Sequence, residues 1–301
     1  MNEQEETKSM TGRIVRGIGG LYTVRGDENA NEYVLRARGK LRRQKTTPMV
    51  GDRALFSPGE GEEHGWLEEI LPRTTCCVRP PVANVDVLAL VVAPVPSPDL
   101  LLVDRMLVFA RRTGIRPLLL VNKCDLDDGL YEACRKAYAQ ADVPVLALSA
   151  SEKTGLEAIR ALLKGRIVCF AGQSAVGKSS ALNALLHLSL PTGEVSRKTE
   201  RGRHTTRHAE LIFAGDFGVM DTPGFSLLGF EEGFAPEELA AYYPEFGAYE
   251  SACRFTPCLH DREPDCAVRE AALRGEIPRE RWERYLTLLC ELRLLWRNRY
   301  D

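Results

Sequence analysis

Residues 172–179 read Gly-Gln-Ser-Ala-Val-Gly-Lys-Ser: a glycine, four residues, then Gly-Lys-Ser. The apolar run Val168-Cys169-Phe170-Ala171 precedes it, and the helix-forming run Ala181-Leu182-Asn183-Ala184-Leu185-Leu186 follows. Strand, glycine-containing loop and helix together wrap backbone N–H groups around a phosphate, and the helix N-terminus adds positive potential. A chain with this signature is committed to an α/β layer with the loop at the carboxyl end of a strand. Gly172 and Gly177 permit the wrap, Gln173, Ser174, Ala175 and Val176 form its arc, and Ser180 lies in the first turn of the helix. Lys178 is expected to reach the β- and γ-phosphates as a catalytic group, and the Ser179 hydroxyl to join a Mg²⁺ shell.

The rest of the composition narrows the setting. A chain of 301 residues suits two or three domains, and 44% hydrophobic with 27% charged residues fits a globular protein. A net charge of −2 does not mark a nucleic-acid binder, so any basic surface has to be local. No apolar run approaches the ~20 residues of a membrane helix. The first ten residues, MNEQEETKSM, lack the pattern of a signal peptide. These features predict a cytoplasmic protein with no membrane partner. Nine cysteines, three of them close together near the C-terminus, argue for a metal site plus buried thiols rather than a disulfide framework.

After a polar tail, residues 11–75 break into five short β-like segments, 12–16, 21–24, 32–37, 52–56 and 65–70, separated by glycine-rich turns. Five strands in this length suggest a small barrel of the oligonucleotide-binding (OB) type. Residues 36–45 hold six basic side chains and no acid, which suits either a solvated loop or a phosphate-driven nucleic-acid contact. A basic run on a small barrel favours the contact. Few exposed aromatics are evident to stack bases.

Residues 85–93 form a continuous apolar run, as in a strand covered on both faces. Helical periodicity follows over 100–113, then a strand at 117–121, a helix at about 131–140, a strand at 143–148 and a helix at 155–164. This alternation predicts a parallel sheet, with ligands outside the carboxyl ends of its strands. Asn122-Lys123-Cys124-Asp125 and Ser149-Ala150 both sit at such ends. The Asp125 carboxylate can accept two hydrogen bonds from guanine N1–H and its 2-amino group. Asn122 can fix the loop, the Lys123 stem can cover the ring, and a backbone N–H at Ser149-Ala150 can meet guanine O6. Adenine offers neither the donor pair for Asp125 nor an O6 for the backbone N–H, and leaving them unpaired makes discrimination steep.

Downstream, Asp221-Thr222-Pro223-Gly224 ends a strand-like run. Asp221 is expected to hold Mg²⁺ through water, and the Gly224 N–H to sense the γ-phosphate. The polar segment 197–208 lies between, with Thr205 or Thr206, the latter favoured, completing the Mg²⁺ shell. Phe225 stands where such sites usually carry a water-orienting Gln, so intrinsic hydrolysis should be slow. His204 is a candidate to orient or deprotonate that water, the alternative being a surface His bonded within its loop.

Near the C-terminus, Cys253, Cys258, His260 and Cys266 supply four soft ligands within fourteen residues, a set suited to a closed structural Zn²⁺ site. Helices are expected at 265–274 and 279–299, the second burying Trp282, Tyr285, Leu288, Leu289, Leu292 and Trp296. Arg281, Arg284, Arg293, Arg297 and Arg299 read as a basic tail open to RNA or as a solvated helix face.

The four nucleotide motifs resemble those of the translation-factor-like GTPases, but the guanine-reading segments at 122 and 149 precede the phosphate loop at 172. That order is the mark of circularly permuted GTPases. With the β-rich N-terminus, Gly202-Arg203-His204-Thr205-Thr206 and the cysteine cluster, the chain resembles the small-ribosomal-subunit biogenesis GTPase A family from about Thr11 to its end. The resemblance implies a GTP hydrolase working in late assembly of the small ribosomal subunit, stimulated by that subunit and contacting its rRNA, and it reinforces zinc at the four ligand positions. The expected architecture is an OB-like barrel over 1–75, a circularly permuted GTPase domain over 76–230 and a zinc-binding, mostly helical domain over 231–301. GTP/GDP is the expected ligand and a monomer the expected state. Two other classes stay open: an RNA-binding assembly protein whose pocket senses nucleotide but hydrolyses it poorly, and a GTP-dependent metabolic enzyme that uses zinc in chemistry.

Overall fold

The computed structural model describes residues 9–43, 46–59, 63–189, 209–222, 229–230 and 233–298. The chain divides into two compact units, Met1–Val87 with Leu162–Phe170 and Leu185–Phe225, and Leu88–Ala161 with Ala171–Ala184 and Ser226–Asp301. The described strands of the first unit begin with β1 (Met10–Ile18), β2 (Leu21–Gly26), β3 (Glu32–Ala37), β4 (Arg53–Ser57) and β5 (Gly65–Ile70). Their order is β1-β2-β3-β5-β4, and β4 pairs back onto β1, which closes a five-stranded barrel. Alternation along the strands fills its centre with Ile14, Val24, Leu35, Ala54, Phe56 and Leu67. Leu41, from the short helix Gly39–Arg43, joins this cluster, and so the basic run 36–45 carries its own anchor into the core.

The paired β6 (Cys76–Cys77) and β7 (Val82–Ala83) follow, short strands that no periodicity in the sequence announces. In chain order the remaining strands are β8 (Val87–Val92), β9 (Arg116–Val121), β10 (Val145–Ala147), β11 (Ile167–Ala171), β12 (Glu210–Ala214) and β13 (Phe217–Asp221). In the first unit β11 pairs parallel to β13, β13 antiparallel to β12, and β12 antiparallel to β1 of the barrel.

In the second unit β10 runs parallel to β9. All six residues of β8 are buried, as the continuous apolar run requires. Helix Leu100–Arg112 follows β8, its first turn capped by the Asp99 carboxylate accepting from the Leu102 N–H. The C-terminal helix Arg279–Arg297 buries Trp282, Tyr285, Leu288, Leu289 and Leu292 among Leu239, Phe246, Val268 and Ile277, which fits its role as a core element; Trp296 is only half-buried.

The basic-tail expectation is corrected here. Arg281 is 1% exposed, its Nη1 donates to Asp104 Oδ1 at 2.5 Å, and its Nε pairs with Glu245. Arg284 Nε donates to the other Asp104 oxygen at 2.6 Å, and Arg293 Nη1 to Asp261 at 2.7 Å. The Arg281 guanidinium also lies over the rings of Tyr138 and Tyr243, 5.0 and 4.8 Å from their centres. Arg281 and Arg284 hold the helix to its neighbours instead of facing solvent, and Arg293 pairs with Asp261 while staying partly exposed. Asp104 sits mid-helix, 180 residues away in sequence from its partner Arg284, so helix periodicity alone could not foresee the pairing. Arg297 is exposed, and Arg299 lies outside the described residues. No helix among the described residues is long and apolar enough to cross a membrane.

Candidate nucleotide site and metal cluster

The 172–180 loop and the 122–125 turn lie in the same compact unit. Gly172 has φ +132°, and a Cβ there would stand 2.2 Å from the Val91 carbonyl of β8. Gly177 has φ +91°, with a would-be Cβ 2.4 Å from Asn122 Nδ2. Only glycine fits either place, the second because Asn122 lies against the loop there. Lys178 Nζ donates to the Gly172 and Gln173 carbonyls, both at 2.7 Å, which holds the ammonium over the loop. Burial pushes its pKa down. Ser174, Ala175, Ser179 and Ser180 are exposed, while Val176 is buried beneath them. Gln173 Oε1 accepts from the Asp99 N–H at 3.2 Å, which ties the loop to the start of helix Leu100–Arg112.

Asn122 is the knot of the site. Its Nδ2 donates to the Val176 carbonyl at 2.9 Å and its Oδ1 accepts from the Ala150 N–H at 3.2 Å. One buried side chain thus joins the phosphate loop, the 122–125 turn and the 149–150 turn. Lys123 adopts φ +62°, and its Nζ donates to the Val95 and Ala175 carbonyls at 2.6 and 3.0 Å. Left-handed non-glycine residues of this kind cluster at functional sites. Cys124 points its Sγ at the Val121 carbonyl, 3.2 Å away, and burial raises its pKa. Asp125 is exposed, and its carboxyl pKa is lowered first by the Ser149 hydroxyl and further by that of Ser151. Ser149 itself is buried, with Ser151 Oγ 3.0 Å from its own hydroxyl. Ser151 was not singled out by the sequence, although its place two residues past Ser149 was the available signal.

Asp221 lies in the first unit at the end of β13 and faces Glu210 of β12 in register. Burial raises its pKa, and the Glu210 charge adds to the shift. Thr222, next in chain, lies 3.9 Å from Cys169 Sγ. His204, Thr205, Thr206, Gly224 and Phe225 lie outside the described residues.

The ligand atoms of Cys253, Cys258, His260 and Cys266 all lie within 4.8 Å of one another. His260 Nδ1 is 3.7 Å from Cys253 Sγ and 3.4 Å from Cys266 Sγ, and those two sulfurs are 4.0 Å apart. A tetrahedral ion with Cys and His ligands at about 2.0–2.3 Å needs donor separations of about 3.5–3.8 Å. The cluster therefore fits a single metal ion with four protein ligands. Burial favours neutral His260, the form that ligates, and its Nε2 lies 3.6 Å from a Glu250 carboxylate oxygen. Trp282 Nε1 and the Tyr285 hydroxyl donate to the His260 and Leu259 carbonyls at 3.0 and 2.8 Å, and Glu263 accepts from the Leu259 and Asp261 N–H groups. The loop is thus fastened to the C-terminal helix from behind.

Comparison with known proteins decides the family. A family model described as RsgA GTPase matches residues 70–231, and one described as RsgA N-terminal domain matches residues 11–67. Proteins named small ribosomal subunit biogenesis GTPase RsgA from Ruminiclostridium cellulolyticum and Geobacillus thermodenitrificans are 45% and 43% identical, each over 94% of this chain and over 93% and 97% of their own lengths. The chain belongs to the RsgA GTPase family. Its activity class is accordingly that of a GTPase. A crystal structure of YjeQ from Thermotoga maritima superposes with a TM-score of 0.81 at 34% identity, covering 95% of this chain and 99% of that one. YloQ, described as a circularly permuted GTPase, superposes at 0.79 and 31% identity, covering 97% and 98%. The permuted motif order and the OB-like barrel are thus the RsgA architecture.

On the barrel, one aromatic ring stands open to solvent. Trp66 of β5 is 44% exposed, with the Arg38 guanidinium 5.5 Å from its ring centre. It lines an open groove of 760 Å³ together with Tyr22, Arg36, Leu41 and Thr47. One such ring agrees with the expectation of few exposed aromatics, which did not name Trp66. The outward half of the β5 alternation was the signal, since Leu67 next to it is fully buried.

Proposed function

We propose that this chain hydrolyses GTP as a conformational switch in late maturation of the small ribosomal subunit, with hydrolysis stimulated by that subunit. The observation that carries the reading is Asn122, which ties the guanine-reading turns to the phosphate loop in one compact unit. The names of the relatives supply the ribosomal subunit as the partner.

The roles follow from the chemistry of each group. Asp125, held ionised by Ser149, accepts the two guanine edge donors, and Ala150 N–H meets O6. The N–H groups of residues 172–180 cradle the phosphates while Lys178 neutralises charge building on the β- and γ-oxygens. Ser179 and Asp221, with Thr206 in preference to Thr205, hold Mg²⁺, which when bound offsets phosphate charge. Gly224 senses the γ-phosphate. Phe225 cannot orient water, so His204 takes that task and the free chain turns over slowly. The metal of the Cys253, Cys258, His260 and Cys266 cluster is Zn²⁺, structural because all four positions are filled by protein. Barrel 1–75 and zinc-binding domain 231–301 act as two grips on rRNA flanking GTPase domain 76–230. The chain works as a cytoplasmic monomer.

GTP hydrolysis with and without purified small subunits, repeated with ATP as competitor, tests this. Stimulation by the subunits with no competition from ATP is expected. Absence of stimulation favours a nucleotide-sensing rRNA binder that hydrolyses poorly, and equal competition by ATP overturns the guanine assignment.

A further inference from the structure

A row of charge crosses three strands of the first unit. Arg16 on β1 lies opposite Glu210 on β12, and Glu210 lies opposite Asp221 on β13. Opposed residues on antiparallel strands share a face, with Cβ atoms about 5 Å apart. The three side chains therefore line one side of the sheet as a cation followed by two carboxylates. The Arg16 guanidinium closes on Glu210 as an ion pair.

The barrel is shaped to deliver Arg16 there. Ile14 pairs with Val24 but Arg16 with Thr23, so Val15 is an extra residue in β1. Such a bulge re-aims the side chains that follow it. Arg25 adds a second grip on β12, its guanidinium 4.4 Å from the ring centre of Phe213. β12 starts at Glu210, four residues beyond Thr206 in sequence, and β13 ends at Asp221. One barrel strand thus sets a fixed positive charge two strands from the carboxylate assigned to Mg²⁺.

We propose that Glu210 is a positioning residue of the Mg²⁺ site and that Arg16 sets its strength. The inference rests on the reading of Asp221 as the Mg²⁺-holding carboxylate. Glu210 adds a second negative charge beside Asp221, which favours a divalent cation, and Arg16 cancels part of it. A polyanion on the barrel that draws Arg16 away uncovers Glu210 and tightens the hold on Mg²⁺, and with it on the nucleotide. Barrel occupancy and nucleotide retention are then linked through one side chain.

The test uses the full chain loaded with a fluorescent GDP analogue, reading analogue release against Mg²⁺ concentration, with Mn²⁺ binding by electron paramagnetic resonance as a direct second measure. Arg16→Met should lower the half-effective Mg²⁺ concentration by about fivefold and Glu210→Gln raise it by about as much. The double variant should return close to the parent value, and Arg16→Lys should keep it. Both single variants break the same ion pair, so a purely structural role shifts both in the same direction. That result, or no shift in either, overturns the proposal. If Asp221→Asn leaves the Mg²⁺ dependence untouched, the reading of Asp221 fails and takes this proposal with it. If Asp221→Asn weakens Mg²⁺ binding while the Arg16 and Glu210 variants do not move in opposite directions, only this proposal fails.

Discussion

The nucleotide site and the Cys–His cluster both spring from short motifs, yet different forces hold them. Around the nucleotide loops, β8 is buried along its whole length, and the side chains of Asn122, Lys123 and Lys178 bond to backbone carbonyls of the loops they serve. Around the cluster, residues 251–266 form no helix or strand. Four soft ligands converge there, with a few hydrogen bonds from Trp282, Tyr285 and Glu263 behind them. The first site is built by strands and helices; the second is a stretch without helix or strand whose four ligand atoms converge on one point. Apolar strands can pre-shape a loop without its ligand, whereas a short, proline-containing loop needs a cross-link.

Metal removal should separate the two most sharply. Metal binding free energy on the order of 10 kcal/mol becomes folding free energy of the cluster segment. Chelation should therefore strip amide-exchange protection from residues 251–266 while residues 171–180 keep theirs. Equal loss in both would erase the distinction. Burial already pushes the Cys258 thiol up to about 12, so uptake of metal near neutral pH should release protons and weaken as pH falls.

Lys178→Ala is the converse change. It should cut GTP turnover by about 10³-fold, ~4 kcal/mol of transition-state stabilisation, with the melting temperature and the cluster's exchange protection unchanged. A variant that unfolds instead would mean that the ammonium holds the loop together.

Asp104→Asn addresses the buried charges behind the cluster. Asp104 pairs with both Arg281 and Arg284, so its loss should cost about 3 kcal/mol in denaturant unfolding. Exchange should rise along helix 279–297, with GTP affinity kept. Trp66→Ala should have the smallest effect, weakening single-stranded RNA binding by about 1–2 kcal/mol and leaving both sites as they are.

The parts legible in the sequence were those set by local pattern. The all-apolar run at 85–93 announced β8, the alternating segments announced the barrel, and Gly172 and Gly177 announced a loop that only glycine can make. The cluster was legible because its ligands are close in sequence. What stayed hidden depends on partners far apart in the chain. Arg281 looked like one of several surface arginines until Asp104 and Glu245 met it, 177 and 36 residues away. The pairing of β1 with β12 joins residues 194 apart through a bulge that leaves no mark in composition. Glu210 escaped notice for the same reason: its meaning comes from the two strands beside it.

Asp125 offers the most direct test of a guanine site tied to a phosphate loop. In Asp125→Asn the side chain offers an amide where guanine needs a carboxylate, and that amide suits the 2-oxo group of xanthine. Turnover of GTP at limiting concentration should fall by about 10²-fold or more, while xanthosine triphosphate becomes the better substrate with a comparable maximal rate. If the variant still prefers GTP, or loses both nucleotides equally, Asp125 does not read the base and the guanine assignment is wrong.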